Sequence, residues 1–268
     1  MKLSALPYTT VNYEEESSFL AWFDYAAEIG LDGVEVMYYW PMNWHVLYRT
    51  RKRIGERKLA VSMVTTHCNP ALYTDDLRKA EVKKLEGYVD LAADCGCRHV
   101  RVIGGRHDPT WCEVSTAKAL DAVVKTFEMA LPHAEKSGVI FALENHPGFG
   151  VTLDVVRAIL QRLPSRNFGW NFDMENAYRV AGQTAFDFLN DPAVLSRLTH
   201  VHAKNFLEAP DGWNTDVALD EGMNDVRAMV AAIKAHGYDD WISIEFGGKT
   251  RDKVRRSAEF LRQTWREV

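Results

Sequence analysis

The sequence predicts an α/β protein, a (β/α)8 TIM barrel built as a single domain. Short runs rich in β-branched residues recur along the whole chain, and each is followed by a longer segment with helical periodicity. Eight such runs occur. Their starting points lie roughly thirty to forty residues apart, which is the length of a strand, a loop and a returning helix. Regular units of this kind favour a closed barrel.

The predicted strands follow one another at regular intervals along the chain. They cover residues 2–5, 33–37, 60–66, 99–103, 139–144, 169–173, 200–203 and 241–246. Between them, residues 75–93 and 116–136 place apolar side chains three and four positions apart among charged ones, which predicts two helices. Gly138 follows the second segment and predicts its end. No linker rich in Pro, Ser or Gly interrupts the series, so we expect one domain over residues 1–268.

An open, doubly wound sheet is an alternative that also alternates strands and helices. Such a sheet needs a glycine-rich phosphate-binding turn after its first strand. Here the first predicted strand is followed by Leu6 and Pro7. Near the C-terminus, Gly247-Gly248-Lys249-Thr250 resembles a phosphate loop, but the first glycine of that motif would fall at Ser243. We therefore interpret these glycines as a turn after the last strand.

The charge of the chain argues against nucleic acid as a partner. The 32 basic residues are outnumbered by 37 acidic ones, and the net charge of -5 gives no general attraction to a phosphodiester backbone. One stretch, residues 48–58, is strongly basic. Such a stretch is more often the solvated face of a helix than a nucleic-acid patch, and we predict a helix here.

The sequence predicts a cytoplasmic protein with no membrane partner. Its apolar runs are too short to cross a membrane, and its first residues, interrupted by Pro7 and Glu14, do not form a signal peptide. The four cysteines form neither a Cys-x-x-Cys pair nor a zinc-ribbon spacing, which favours buried thiols in a reducing compartment. A homo-oligomer is compatible with the sequence.

Polar side chains at the C-terminal ends of the predicted strands define the candidate site. In an α/β barrel these ends meet at one mouth, so residues far apart in the sequence become neighbours there. The polar residues at or just beyond the strand ends are Glu35, His67, His107, Glu144, Asp173, His202, Lys204 and Glu245. Carboxylates that terminate apolar strands are costly to bury without a counter-charge, and a divalent cation supplies one.

Four of these residues, one from each of four successive predicted strands, form a predicted metal site: Glu144, Asp173, His202 and Glu245. Three carboxylates and one imidazole are an oxygen-rich set that suits one Mn²⁺, Mg²⁺ or Co²⁺ ion better than a structural Zn²⁺ site. We expect Mn²⁺, with Zn²⁺ still compatible. His200 lies on the same face of its strand, but His202 is nearer the strand end, so we assign His200 to the barrel interior.

The segments around these ligands resemble the sugar phosphate isomerase/epimerase superfamily of xylose-isomerase-like barrels. The motifs that carry the resemblance are Ala-Leu-Glu144-Asn-His-Pro, Asn-Phe-Asp173-Met-Glu-Asn, His-Val-His202-Ala-Lys-Asn and Ile-Ser-Ile-Glu245-Phe. The likeness also includes Leu-Asp-Gly-Val-Glu35-Val and extends over nearly the whole chain. It implies a metal ion held by the four ligands, with substrate oxygens in its open positions.

The predicted chemistry is isomerisation or epimerisation of a keto-sugar or a related polyol. A metal that binds the carbonyl and adjacent hydroxyl oxygens of a ketose is a Lewis acid, and it stabilises the enediolate formed when the neighbouring C–H proton leaves. Glu144 and Glu245 are the predicted acid/base pair, a role that the resemblance to ketose epimerases also implies. His146 is a further candidate base or substrate contact.

Other residues at or beyond the strand ends are predicted to bind the substrate. Lys204 is placed to contact a substrate oxygen or to stabilise the enolate, with an exposed loop lysine as the alternative. Two tryptophans in the loops are candidates for a lid whose rings stack on the sugar. The full set of predicted substrate contacts is Glu35, His67, His107, Lys204, Trp40 and Trp111.

Two enzymatic alternatives and one non-enzymatic alternative stay open. A lyase or dehydratase that eliminates a group β to a ketone passes through the same enolate, and His146 is a natural base for it. An apurinic-site endonuclease is more remote: His67 and His107 fall where that branch of the superfamily has ligands, but Asn176 stands where a histidine is expected. The third alternative is a barrel that binds sugar without turnover.

One subfamily is not predicted. Ketose 3-epimerases of the tagatose and psicose type carry a glutamate, a histidine and an arginine around the substrate. The matching positions here hold Gly150, Asn176 and Glu208. The sequence therefore leaves the particular sugar open.

Overall fold

The computed structural model describes residues 1–7, 16–37, 44–106, 114–180, 182–208, 214–245 and 251–268. In chain order its elements are β1 (Lys2–Leu6), α1 (Glu16–Glu28), β2 (Gly33–Met37), α2 (Trp44–Glu56), β3 (Ala60–Thr65), α3 (Asp75–Asp94), β4 (His99–Val102), α4 (Thr116–Ser137), β5 (Ile140–Glu144), α5 (Leu153–Arg162), β6 (Phe168–Asp173), a 3-10 helix (Asn176–Arg179), α6 (Ala185–Leu189), α7 (Pro192–Leu195), β7 (Leu198–Ala203), β8 (Phe206–Glu208), β9 (Asn214–Asp216), α8 (Val226–Ala235), β10 (Trp241–Glu245) and α9 (Arg251–Glu267). The chain divides into two compact units, residues 1–63 with 201–268 (the first unit) and residues 64–200 (the second unit).

In the described part of the chain, eight strands form one sheet in the order β1-β10-β7-β6-β5-β4-β3-β2. The pairs β1–β10, β10–β7, β3–β4, β4–β5 and β5–β6 run parallel. The two short strands β8 and β9 form a separate antiparallel hairpin. Strands that are neighbours in the sheet follow each other along the chain, as βαβ units require. The first strand pairs with the last, as in a barrel.

The predicted strands and helices agree with this structure. Each observed strand of the sheet begins and ends within two residues of its predicted bounds, although residue 246 lies outside the described residues. The two predicted helices are α3 and α4. The side chain of Ser115 accepts a hydrogen bond from the Lys118 N–H at the start of α4, and Gly138 ends this helix with a φ of 66°. The β8–β9 hairpin and the 3-10 helix were not predicted.

The strands that lead to the candidate site are buried on both faces. Every residue of β5 and of β6 is buried. Parallel strands in βαβ units have this property because helices cover one face and the core covers the other. A polar side chain at the end of such a strand therefore needs a partner within the protein.

The basic stretch of the sequence forms helix α2, as predicted. Several of its arginines pair with acidic residues of α1: Arg49 with Glu16, and both Arg53 and Arg57 with Asp24 at 3.0 and 2.7 Å. These pairs are partly exposed and contribute little to stability. They do compensate part of the positive charge of the helix within the first unit.

A search of the described helices for a segment long and apolar enough to span a membrane finds none. The three described cysteines are free thiols: Cys68 and Cys97 are buried, as predicted, whereas Cys95 is partly exposed.

Candidate metal centre

The four predicted ligands lie at the C-terminal ends of their strands. Glu144, Asp173 and Glu245 are the last residues of β5, β6 and β10, and His202 is the last but one of β7. Glu144, Asp173 and His202 are fully buried, whereas 10% of the Glu245 side chain is exposed. Within the second unit a ligand atom of Glu144 lies within 4.8 Å of one of Asp173, and within the first unit a ligand atom of His202 lies within 4.8 Å of one of Glu245. Buried carboxylates and an imidazole of this kind could hold a metal ion.

Glu144 is held by a buried arginine that the sequence did not single out. The guanidinium of Arg101, in β4, donates from Nε to Oε2 of Glu144. Its Nη1 donates to the carbonyl oxygen of Thr66 at 2.6 Å. Asn176 approaches the other oxygen, with 3.5 Å between Nδ2 and Oε1. Because a buried carboxylate is costly without a counter-charge, Arg101 stabilises Glu144 in this orientation.

Asp173 is held mainly by the backbone. Its Oδ1 accepts hydrogen bonds from the N–H groups of Glu175 and Asn176, at 2.8 and 2.7 Å. The side chain of Asn145 bridges to the main chain of Asp173: Nδ2 donates to the carbonyl oxygen and Oδ1 accepts from the N–H, both at 2.9 Å. The indole N–H of Trp170 also donates to Asn145 Oδ1 at 3.3 Å. These contacts fix Oδ1 of Asp173 and the backbone of this residue.

His202 lies between two glutamates. Its Nε2 is 3.1 Å from Oε1 of Glu35, and its Nδ1 is 2.9 Å from Oε2 of Glu245. Glu35 is fully buried in β2. Glu35 was predicted to contact the substrate, whereas in the structure its carboxylate lies against His202.

Lys204 follows β7 and is 8% exposed, so it is not the exposed loop lysine that was the alternative. Its Nζ donates to Oε1 of Glu245 at 3.2 Å. Its backbone carbonyl accepts a bond from Nδ2 of Asn224 at 3.3 Å. The ammonium is therefore held beside the most exposed of the four predicted ligands.

His67 and His146 form a pair in the second unit. Their rings are perpendicular, with centroids 6.1 Å apart. Burial lowers the pKa of His67 to about 4; the charges of Arg101 and His146 add to this effect and Glu144 opposes it. The Nδ1 of His146 is 2.9 Å from the carbonyl oxygen of Pro147. Because a carbonyl only accepts, Nδ1 carries a proton, and in the neutral ring Nε2 is left with the lone pair.

The loop that carries His146 packs closely on the loop after β4. The N–H of Phe149 donates to the carbonyl oxygen of Gly105 at 2.9 Å. A Cβ at Gly104 would overlap the carbonyl oxygen of Phe149, and one at Gly148 would lie 2.7 Å from the carbonyl oxygen of Gly105. Gly105 and Gly148 also have positive φ angles of 88° and 114°. Glycine is required at these positions, and the two loops are fixed against each other.

The remaining predicted site residues have different outcomes. His200 is fully buried beside His99, with ring centroids 5.6 Å apart, and Glu35, His200 and His202 also have potential ligand atoms within 4.8 Å of one another. Trp40, His107 and Trp111 lie outside the described residues.

Arg101 and Asn145 were missed as site residues. A signal existed for Arg101, because a charge inside an otherwise apolar strand needs a buried partner.

Residues 23–264 match the model of the xylose isomerase-like TIM barrel family. The chain belongs to this family. The match confirms the predicted (β/α)8 TIM barrel and the resemblance to xylose-isomerase-like barrels. That one domain covers residues 1–268 stays a prediction.

Solved structures with the same fold include a D-tagatose 3-epimerase-like protein (TM-score 0.82, 23% identity, covering 100% of this chain and 98% of that one). A Bacillus anthracis protein described as the probable 3-DHS dehydratase AsbF has a TM-score of 0.80 at 19% identity, covering 98% and 99%. The IOLI protein, solved with a bound zinc atom, has a TM-score of 0.76 at 17% identity, covering 100% and 96%. No curated protein matches the chain.

Proposed function

We propose that this protein is a divalent-metal-dependent isomerase or epimerase of a keto-sugar or a related polyol. The observation that carries the proposal is that Glu144, Asp173, His202 and Glu245 all lie at the C-terminal ends of their strands, with ligand atoms within 4.8 Å in each of the pairs Glu144–Asp173 and His202–Glu245. Active sites of TIM barrels lie at these strand ends. The structural similarity to proteins described as an epimerase and a dehydratase supports sugar-like substrates.

The donor set fits a divalent cation. In the second unit, the carboxylates of Glu144 and Asp173 have oxygen atoms within 4.8 Å of each other, and at an effective dielectric of about 20 two unit charges at that separation repel by roughly 3 kcal/mol. A cation among them turns this repulsion into attraction. The oxygen-rich set favours Mn²⁺, while the zinc atom of the IOLI protein supports Zn²⁺ as an alternative.

When bound, such an ion polarises the carbonyl group of the substrate and stabilises the negative charge of an enediolate. The protein supplies the proton transfer. Glu245 is the best placed acid/base residue, because part of its side chain is exposed and the ammonium of Lys204 holds it at 3.2 Å. Lys204 can also donate to a developing oxyanion. Glu144 is the predicted partner on the opposite side of the substrate.

The histidine pair extends the polar lining of the site. With its pKa lowered to about 4, His67 is neutral at physiological pH and can exchange hydrogen bonds with sugar hydroxyls without adding charge. His146, with its lone pair on Nε2, can accept a proton. This second base also supports the alternative function, a lyase or dehydratase that removes a proton next to a ketone and expels a β-substituent.

An exchange experiment in D₂O tests the proposal. The Mn²⁺-loaded protein is incubated with a panel of ketoses and 3-keto-sugars, and the sugars are recovered for NMR and mass spectrometry. Deuterium at a carbon next to the carbonyl, with an isomerised or inverted product, supports the isomerase or epimerase. Loss of water or of an aglycone supports the lyase instead. A metal-loaded protein that binds sugars but neither exchanges nor eliminates would contradict both.

A further inference from the structure

We propose that Glu35 is a positioning residue for the metal centre: its carboxylate orients His202 so that Nδ1 is the metal-binding nitrogen. The inference rests on the proposed function and deepens it. It also gives Glu35 a different role from the substrate contact that the sequence predicted.

The contact between Glu35 and His202 sets the proton on the imidazole ring. Oε1 of Glu35 is 3.1 Å from Nε2 of His202, and both residues are fully buried. An ionised carboxylate only accepts hydrogen bonds, so Nε2 carries a proton. The same argument applies to Nδ1, which is 2.9 Å from Oε2 of Glu245, so a hydrogen bond there also needs a proton on the metal-free ring. A metal ion would take the place of the proton on Nδ1, while Glu35 keeps the proton on Nε2.

Nδ1 is the nitrogen on the side of a second predicted ligand. Nδ1 of His202 is 2.9 Å from Oε2 of Glu245, which is another member of the predicted metal site. The nitrogen that Glu35 leaves available is therefore the one next to a second ligand. Histidines that bind metals usually donate their other N–H to a carboxylate or a carbonyl, which fixes the tautomer and raises the basicity of the ligating nitrogen.

A second metal site is the competing explanation for Glu35. Glu35, His200 and His202 also have potential ligand atoms within 4.8 Å. A neutral imidazole has one lone pair, so His202 serves either that group or the predicted site with Glu144, Asp173 and Glu245. The Nδ1–Glu245 contact favours the predicted site. Its four residues also bring three carboxylates to a divalent ion, against one for the competing group.

The test compares Glu35→Ala, Glu35→Gln and a control, Ser62→Ala. Ser62 is buried in β3 and donates to the carbonyl oxygen of Val34, next to Glu35 in the sequence. Titration of the metal-free proteins with Mn²⁺ in a calorimeter should show one equivalent bound by the wild type. The affinity should fall about 10- to 100-fold in Glu35→Ala. Glu35→Gln should lose less, because its amide oxygen still accepts from Nε2, and Ser62→Ala should lose little.

Two further measurements separate positioning from general loosening of the fold. In a His202→Ala background, Glu35→Ala should cause almost no further loss of Mn²⁺ affinity, because a positioning residue acts through the histidine it orients. In the metal-free wild type, nitrogen-15 NMR should detect a proton on Nε2 of His202 that exchanges slowly with solvent. That signal should disappear in Glu35→Ala.

The outcomes are distinct. A wild type that binds one equivalent of Mn²⁺, with the same affinity in Glu35→Ala, overturns the inference and leaves the proposed function intact. Two equivalents in the wild type and one in Glu35→Ala would make Glu35 a ligand and overturn it as well. A wild type that binds no divalent ion contradicts the metal centre itself, and the inference fails with it.

Discussion

The two pairs of predicted ligands are held in different ways. Glu144 and Asp173, in the second unit, are fully buried and fixed by an arginine, an asparagine and backbone N–H groups. His202 and Glu245, in the first unit, are held by ionisable side chains, and Glu245 is partly exposed. Glu144 and Asp173 are therefore the more fixed pair, whereas Glu245 is the predicted acid/base residue that solvent and substrate reach more easily.

The largest expected effect is on proton transfer. At saturating Mn²⁺, Glu245→Gln should lower the rate of deuterium exchange into substrate by about 10²- to 10⁴-fold, because it removes the accessible acid/base group. Glu259→Gln, on the exposed face of α9, is the control and should exchange at the wild-type rate. An unchanged rate in Glu245→Gln would place the base elsewhere, with His146 as the next residue to substitute.

Among the contacts of Glu144 and Asp173, the Arg101–Glu144 pair should contribute most to the stability of the second unit. Arg101→Met leaves the Glu144 carboxylate buried without its counter-charge, and the free energy of unfolding of the metal-free protein should fall by about 3–5 kcal/mol in urea titrations. The double variant with Glu144→Gln should regain part of this loss, since the uncompensated charge is gone. Lys204→Met should cost less than Arg101→Met, because the pair of Lys204 with Glu245 is nearer to solvent. If Arg101→Met and Lys204→Met lowered the free energy of unfolding equally, burial would not distinguish the two ion pairs.

Asn145 should contribute both to the stability of the fold and to Mn²⁺ affinity. Asn145→Ala removes the bridge to the backbone of Asp173 and should cost about 1–3 kcal/mol in the free energy of unfolding. It should also weaken Mn²⁺ binding, because Asp173 loses part of its support. Asn167→Ala is the matched control: it removes a bond of similar length, 2.7 Å, to the carbonyl oxygen of Val139. The control should lose stability without losing metal affinity, and parallel losses in both variants would argue against a specific role for Asn145.

The smallest effect concerns His67 and pH. Its pKa is lowered to about 4 in the folded protein, while the unfolded chain has the ordinary value of 6.5. Between these values the unfolded state binds more protons, so the contribution of His67 to stability is present above pH 6.5 and is lost as the pH falls towards 4. In His67→Gln, unfolding measured over this range should depend less steeply on pH. An identical profile would mean that the histidine is solvated as in the unfolded chain.

The fold was predictable because its signals are local and repeated. Each strand is a short apolar run followed by a helical pattern, and the strand ends follow from that alternation. The four ligands could be proposed because charged side chains at the ends of apolar strands are costly to bury without a counter-charge. Sequence position alone could not show which carboxylate contacts which cation.

The supporting residues show what could not be predicted. Arg101 and Asn145 act through partners more than twenty residues away in the sequence, and these partners depend on strand register and side-chain direction. Glu35 lies at a strand end like the ligands, so its sequence position could not separate a substrate contact from a residue behind His202. The β8–β9 hairpin was missed because its strands have only three residues each.

The glycine packing between the loops after β4 and β5 has a consequence for evolution and engineering. Because a Cβ at Gly104, Gly105 or Gly148 would overlap neighbouring atoms, a larger residue at any of these three positions needs a compensating change in the atoms it would touch. Variation that alters substrate preference should therefore accumulate at other positions, or change both sides of this packing together. A mutagenesis library aimed at new substrates would retain more folded members if it kept these glycines constant.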